Sequence, residues 1–144
     1  MAAMAITNVV YGSKSKQKLF AQNGFAVCIN YKSNADSAHS LAQEIKVSGG
    51  HCISVRADVS KEEGALQLFE TVDRELGVVS VLVNNAGILK KQMRLEEMSA
   101  DRINSILVNN VTGYFLCCRE AVKRMSTSRR HCLGHSPRAF RGVR

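Results

Sequence analysis

The sequence predicts an α/β fold: a partial, doubly wound parallel sheet made of four strands with flanking helices. Two observations predict this fold. Short apolar segments alternate with amphipathic helical segments, and glycines follow the helical segments. Strands separated by helices of this length form βαβ units with right-handed crossovers, which give a parallel sheet. The 144 residues suffice for one domain with a hydrophobic core.

The middle of the chain contains the clearest βαβ pattern. Residues 24–31 and 51–57 are apolar and are predicted strands. Between them, residues 34–48 have apolar side chains at helical spacing, and Gly49-Gly50 ends that helix.

The next elements follow from capping and periodicity. Ser60-Lys-Glu-Glu63 is typical of a capping box and predicts the start of a helix that stops at Gly77. The inward face of this helix is predicted to hold Leu66, Phe69, Val72 and Leu76. Residues 79–84 form a Val-rich buried strand, and a long helix is expected from about Ser99 to Met125.

Composition argues against several functional classes. The sequence contains no run of 18 apolar residues, so no transmembrane helix is predicted. The amino terminus lacks the pattern of a secretory signal. The five cysteines are an odd number and are predicted to be reduced thiols. Cys132, His131 and His135 match no standard zinc spacing, so no metal site is expected. We expect a cytoplasmic protein without membrane contact.

The most informative motif is Val83-Asn84-Asn85-Ala86-Gly87, at the end of the fourth predicted strand. Small residues and carboxamides at such a strand end let a ligand approach the backbone, although a plain strand-to-loop turn is the alternative. Together with Ala57-Asp58-Val59 and residues 110–125, the motif resembles the short-chain dehydrogenase/reductase family, particularly bacterial glucose-dehydrogenase and acyl-carrier-protein-reductase members. The resemblance covers about Ala5 to Met125 and implies a Rossmann-like fold.

The resemblance also implies a nicotinamide dinucleotide as cofactor. The residues that it assigns to cofactor binding are Gly12, Lys32, Asp58, Val59, Asn84, Asn85, Ala86 and Gly87. Asp58 would accept a hydrogen bond from the adenine amino group, or could cap the following helix instead, and Val59 would line the ring. Because the second strand ends without an acid, Lys32 would hold a 2′-phosphate, which favours NADP(H) over NAD(H). Otherwise Lys32 simply begins a polar loop.

The first strand-to-helix turn departs from the pattern of the family. That pattern is Thr-Gly-x-x-x-Gly-x-Gly, whose glycines let the backbone approach the pyrophosphate. Aligned back from Gly24, the chain has Tyr11 and Ser13 at the last two glycine positions. Alternatively, residues 9–13 are the strand and turn. Gly12 is the glycine near the turn in either alignment, and both alignments weaken the prediction that a dinucleotide binds.

The catalytic residues of the family are largely missing from the sequence. Carbonyl reduction there requires a tyrosine as general acid, a lysine four residues later and a serine. The three tyrosines are followed at that spacing by Ser15, Ala35 and Cys118. Asn110 matches the helix asparagine that supports the lysine, or is an asparagine bonding a nearby carbonyl. We therefore expect a truncated family member with little or no activity.

Residues 126–144 do not resemble the family. They contain five arginines and no acidic residue, which leaves +3 of the net charge of +8 on residues 1–125. We predict an incomplete dinucleotide-binding domain over residues 1–125 and a basic, disordered tail. Without interleaved aromatic residues, nucleic-acid binding is not expected. The alternative function is a binding module that retains nucleotide affinity or pairs with a copy or homologue through helix 104–125.

Overall fold

The computed structural model describes residues 4–6, 14–85, 87–88 and 90–131. Its elements up to residue 83 are β1 (Met4–Ile6), α1 (Lys14–Gln22), β2 (Val27–Tyr31), α2 (Ala35–Val47), β3 (Cys52–Arg56), α3 (Glu62–Glu75) and β4 (Val81–Val83). A 3-10 turn (Leu95–Glu97), α4 (Ala100–Leu107), a π-helical turn (Val108–Thr112) and α5 (Gly113–His131) follow. The alternation of strands and helices confirms the predicted α/β class.

The strands form two hydrogen-bonded pairs. β2 and β3 run parallel, from Val27 opposite Cys52 to Tyr31 opposite Arg56, as the βαβ prediction requires. β1 packs beside β2 but is hydrogen-bonded to β4 in the antiparallel direction, with Met4 opposite Val83. This pairing differs from the wholly parallel sheet that we expected, and it involves a strand of only three residues. Few ladder hydrogen bonds fix the direction of so short a strand.

Helix α2 forms as its sequence predicts. The Asn34 side chain accepts a hydrogen bond from the Ser37 backbone N–H at 3.1 Å, which satisfies one free donor of the first turn. Its buried side chains are Ala38, Leu41, Ala42 and Ile45, the predicted face. The chain leaves the helix through Gly49, whose φ of +82° is a conformation that favours glycine.

Helix α3 corrects two details of the prediction. Its N-cap residue is Lys61 and not Ser60, because the Ser60 hydroxyl donates to Asp58 instead of capping the helix. Its buried residues are Ala65, Leu68, Phe69 and Val72, whereas Leu66 is 41% exposed. The predicted face and the buried face of α3 share Phe69 and Val72. The small side chain of Ala65 indicates burial less clearly in the sequence than the larger apolar side chain of Leu66.

The long helix predicted from about Ser99 begins where predicted, but it is divided into two helices. Ser99 is the N-cap of α4, and its hydroxyl accepts from the Arg102 backbone N–H. The π-helical turn then separates α4 from α5, a break that the apolar spacing did not predict. Helix α5 extends past Met125 to His131, and residues 132–144 of the predicted tail lie outside the described residues.

The core lies between the β2–β3 pair and helices α2 and α3. Its largest fully buried apolar side chains are Phe69, Ile45, Leu68, Val27, Val72, Val79, Cys28 and Cys52. The two cysteines therefore serve as small apolar residues. Burial raises the pKa of the Cys52 thiol to about 12, so the thiol stays protonated at neutral pH.

Helix α5 is attached to α3 by an ionic network over the core. Arg124 Nε lies 2.6 Å from Asp73 Oδ2 of α3, and Arg124 Nη1 lies 2.8 Å from Glu120 Oε2 on its own helix. Its guanidinium also lies 5.1 Å from the centre of the Phe69 ring. Glu120 is almost completely buried and receives a further hydrogen bond from Lys123 at 2.8 Å. The network links α5 to α3 beside their apolar contact in the core.

Within the described ranges, no helix is both long and apolar enough to cross a membrane. The same ranges contain no group of three or more His, Cys, Asp or Glu side chains placed to hold a metal ion.

Candidate functional site

A cleft of about 290 Å³ opens at the carboxyl ends of β2 and β3. Residues that follow β2, β3 and β4 form its walls, and α4 with the π-helical turn contributes Ser105 and Asn109. The carboxyl ends of parallel strands are where open α/β sheets bind ligands. Four residues predicted for cofactor binding line this cleft together: Lys32, Asp58, Val59 and Gly87.

Lys32 and Asp58 form an ion pair in the wall of the cleft. Lys32 Nζ lies 2.8 Å from Asp58 Oδ2, with the lysine side chain 54% exposed and the aspartate 26%. The other carboxylate oxygen, Oδ1, accepts hydrogen bonds from the Ser60 hydroxyl at 2.6 Å and the Ser60 backbone N–H at 3.2 Å. Asp58 is therefore held on both sides, and Lys32 reaches it from the end of the neighbouring strand.

These contacts keep Asp58 ionised. Partial burial acts to raise the pKa of the carboxyl group, but the hydrogen bonds from Lys32 and Ser60 outweigh it, and the pKa is lowered from its ordinary value. A carboxylate that is negative at neutral pH can accept hydrogen bonds from a ligand but cannot donate one.

Asn30 joins the two strand ends beneath the cleft. It is 1% exposed, and its side-chain amide donates to the carbonyls of Val55 at 3.2 Å and Ala57 at 2.9 Å. Sequence reasoning did not identify this role. A polar carboxamide inside an otherwise apolar strand was the available signal, because buried polar groups are hydrogen-bonded in native folds.

Two glycines let helices approach the Asp58–Val59 backbone closely. A Cβ atom on Gly64 would lie 2.1 Å from the Asp58 carbonyl oxygen, and one on Gly113 would lie 3.1 Å from the Val59 carbonyl oxygen. Neither glycine was among the predicted site residues. For Gly64, a glycine near the start of a helical pattern was the signal that could have indicated a packing role.

Asn110 lies in the π-helical turn and holds the loop after β4. Its Oδ1 accepts from the Ile88 backbone N–H at 2.7 Å, and its Nδ2 donates to the Ile88 carbonyl at 3.1 Å. The carboxamide thus pairs with both backbone groups of Ile88, which lines the cleft beside Gly87. A bond to a nearby carbonyl was one of the two interpretations given for Asn110, and the contact with Ile88 holds one wall of the cleft under either of them.

The other predicted residues are distributed differently. Asn84 donates to the Tyr114 carbonyl at 3.4 Å and to Cys118 Sγ at 3.1 Å, so it braces the end of β4 against α5. Asn85 is exposed and does not line the cleft. Gly12 and Ala86 lie outside the described residues, as does the whole first strand-to-helix turn over residues 7–13.

The groups in the cleft fit the adenosine side of a dinucleotide. Lys32 supplies a cation for a phosphate, Asp58 supplies an acceptor for an amino group, and Val59 supplies apolar surface for a ring. Gly87 presents backbone without a side chain at the same wall. These groups are of the chemical kinds that such a ligand would contact.

Comparison with known proteins gives consistent matches. The model of the short chain dehydrogenase family matches residues 14–132. The uncharacterized oxidoreductase YgfF of Escherichia coli is 43% identical over 127 residues, which cover 85% of this chain and 51% of that protein. Glucose 1-dehydrogenase 2 of Bacillus subtilis is 36% identical over 124 residues, which cover 83% of this chain and 48% of that protein.

Solved structures agree with the sequence matches. A short-chain dehydrogenase/reductase from Serratia marcescens superposes with a TM-score of 0.71 at 30% identity, covering 75% of this chain and 44% of that one. A dehydrogenase/reductase from Sinorhizobium meliloti superposes with a TM-score of 0.72 at 29% identity, covering 76% and 43%. The chain spans about half the length of the curated relatives it matches. The resemblance and the Rossmann-like fold predicted from the sequence are thereby confirmed.

Proposed function

We propose, from the premise that this chain belongs to the short-chain dehydrogenase family, that its described residues form the adenosine-binding part of an NADP(H)-dependent oxidoreductase. The observation that carries the proposal is the cleft that brings Lys32, Asp58, Val59 and Gly87 around one space. The family supports a nicotinamide dinucleotide in general, and Lys32 is our reason for favouring the phosphorylated form.

Each residue has a distinct task in this proposal. The Lys32 ammonium binds the 2′-phosphate as a charge-assisted hydrogen-bond donor, and Asp58 accepts a hydrogen bond from the adenine amino group. Val59 packs against the ring, and Asn110 fixes the Gly87–Ile88 wall through its two bonds to Ile88. A bound nicotinamide would supply hydride chemistry, and these residues bind and orient the nucleotide end.

We further propose that these 144 residues alone do not reduce a carbonyl. They contain no Tyr-x-x-x-Lys, so the pair that would protonate the substrate oxygen is not among them. Asn110 matches the catalytic asparagine of the family, and its contacts with Ile88 favour a positioning role in this chain. Measurable carbonyl reduction by the purified 144-residue polypeptide would contradict this part of the proposal.

Titration with NADPH and NADH tests the cofactor assignment. We expect NADPH to bind more tightly than NADH, and Lys32→Gln to weaken NADPH binding by about 10- to 100-fold, because one charge-assisted hydrogen bond is lost. The matched control is Lys46→Gln, an exposed lysine of α2 that does not line the cleft, which should leave both affinities unchanged. No binding at millimolar NADPH, or equal losses in the two variants, would contradict the assignment.

A second candidate function, self-association, is favoured by an apolar strip on α4, the π-helical turn and α5. Phe115 is 73% exposed and Val122 is 62% exposed, and Ile103, Leu107, Val108 and Val111 are also exposed. Several of these residues recur at spacings of three or four, so they share one helical side. We propose that helix 104–125 pairs with a second copy of this chain or with a homologue through this strip.

The location that fits these proposals is the cytoplasm. Cys52 and Cys117 are buried thiols, and Cys118 is an exposed thiol beside Cys117. Free thiols persist in reducing compartments, which supports a cytoplasmic site of action.

A further inference from the structure

We propose that Asp58 determines how strongly the cleft prefers a nucleotide with a phosphate on its ribose, by competing with that phosphate for Lys32. The inference rests on the proposed function, because it concerns the same cleft. It assigns Asp58 a task in addition to holding the adenine amino group. The reason lies in how the acceptor sites of this carboxylate are occupied.

The two oxygens of Asp58 are not equivalent. Oδ1 accepts two hydrogen bonds from Ser60, while Oδ2 accepts one from Lys32 Nζ at 2.8 Å. A carboxylate oxygen offers about two acceptor sites, so Oδ1 is fully used and Oδ2 retains one site. A ligand amino group must therefore meet Asp58 at the same oxygen that holds Lys32.

Ser60 fixes this arrangement. Its hydroxyl and backbone N–H both hold Oδ1, so the carboxylate keeps Oδ2 turned toward Lys32. The ammonium group has three donors, of which Asp58 takes one, and more than half of the lysine side chain is exposed toward solvent. Lys32 can thus reach a phosphate, but it does so beside a fixed negative charge.

The charges then act in opposite directions on a 2′-phosphate. Lys32 attracts the phosphate, while the Asp58 carboxylate repels it and neutralises part of the lysine field. A nucleotide without the 2′-phosphate has no charge at this position for the Asp58 carboxylate to repel. Removing the charge of Asp58 should consequently raise the preference for the phosphorylated nucleotide, provided that Lys32 is present to use it.

The test compares 2′,5′-ADP with 5′-AMP by isothermal titration calorimetry on the full 144-residue chain. These probes differ in the 2′-phosphate alone. The preference ratio is the dissociation constant of 5′-AMP divided by that of 2′,5′-ADP. We expect Asp58→Asn to raise this ratio by about tenfold, which corresponds to about 1.4 kcal/mol. Lys32→Gln should lower the ratio, and the effect of Asp58→Asn should largely disappear in the double variant.

The matched control is Asp36→Asn, which makes the same charge change at an exposed position in the first turn of α2 and should not move the ratio. Asp58→Ser is a second neutral variant if Asp58→Asn does not fold by circular dichroism. An unchanged or lower ratio in a folded neutral variant, or an equal effect with and without Lys32, overturns the role of Asp58 alone. Failure of the wild-type chain to bind either nucleotide overturns the proposed function as well.

Discussion

Asn110 shows how one side chain can hold the wall of the cleft. Its carboxamide bonds both backbone groups of Ile88, across 22 positions of sequence. Replacing it with alanine leaves a donor and an acceptor of Ile88 without these partners. We expect Asn110→Ala to lower the free energy of unfolding by about 1–3 kcal/mol, measured by urea denaturation.

The control for this prediction is Asn104→Ala, which removes the same side chain from an exposed position of α4. An exposed substitution of this kind changes stability by about 0.5 kcal/mol or less. Equal stability of the two variants would show that the Ile88 contacts contribute nothing. Asn110→Asp is also informative, because it keeps an acceptor for the Ile88 N–H but loses the donor to the Ile88 carbonyl.

The family resemblance assigned site roles to Asn110, Lys32 and Asp58, but it did not predict what they contact in this chain. The family resemblance placed Lys32 and Asp58 after neighbouring strands, and parallel pairing of β2 with β3 brings such positions together. Their direct ion pair could not be predicted, because Lys32 could equally have faced solvent. Gly64 was missed for a similar reason, since its importance depends on the Asp58 carbonyl that packs against it.

At the scale of elements, the contact between α3 and α5 depends on a buried carboxylate. Burial acts to raise the pKa of Glu120, but hydrogen bonds from Lys123 and Arg124 outweigh it, so the pKa is lowered. We expect Glu120→Gln to lower the free energy of unfolding at pH 7 by about 1–3 kcal/mol, because charge-assisted hydrogen bonds are lost. Urea denaturation across a pH series measures the effect.

The pH dependence follows from the direction of the shift. A carboxyl group whose pKa is lower in the folded state stabilises the fold fully above its ordinary pKa, 4.5 for Glu120, and loses that contribution as the pH falls through the folded pKa. The stability gap between wild type and Glu120→Gln should be constant near neutrality and shrink in acid. Glu63→Gln, at an exposed position of α3, should show neither effect. A gap independent of pH would contradict the role of the charge.

Periodicity predicted the elements that bury a regular apolar face and failed where tertiary contacts decide. Helix α2 has its predicted apolar face and ends before Gly49-Gly50 as predicted, because both signals are local. The capping box at Ser60 was wrong, since the hydroxyl has a better partner in the Asp58 carboxylate, which accepts a charge-assisted hydrogen bond. The π-helical turn leaves the spacing of the apolar residues nearly unchanged. The sequence therefore predicted one long helix where the structure has α4 and α5.

For the whole molecule, the order of strands and helices was predictable and the direction of β1 was not. The βαβ unit from β2 to β3 follows from crossover geometry, which holds for nearly all parallel connections. β1 has three residues, so neither periodicity nor hydrogen bonding specifies its direction before β4 lies beside it. The cleft is built from β2, β3 and the loop after β4, which is why four predicted residues still meet there.

The apolar strip on α4 and α5 has a consequence for the molecule in solution. Exposed apolar side chains that share one side of a helix favour association, because pairing removes their surface from water. We expect the 144-residue chain to associate with itself as its concentration rises. Phe115→Glu should shift it toward monomer, since a charge in the middle of the strip would be buried in the pair. Analytical ultracentrifugation over a concentration series measures the change.

The specificity of this effect depends on where the charge is placed. Leu19→Glu changes another exposed apolar residue, on α1 and away from the strip, and should leave association as in the wild type. If both variants reduce association equally, the contact is a general consequence of exposed apolar surface. If the wild-type chain is monomeric at all concentrations, the strip does not pair copies of this chain, and titration with an intact homologue becomes the remaining test of helix 104–125 as an interface.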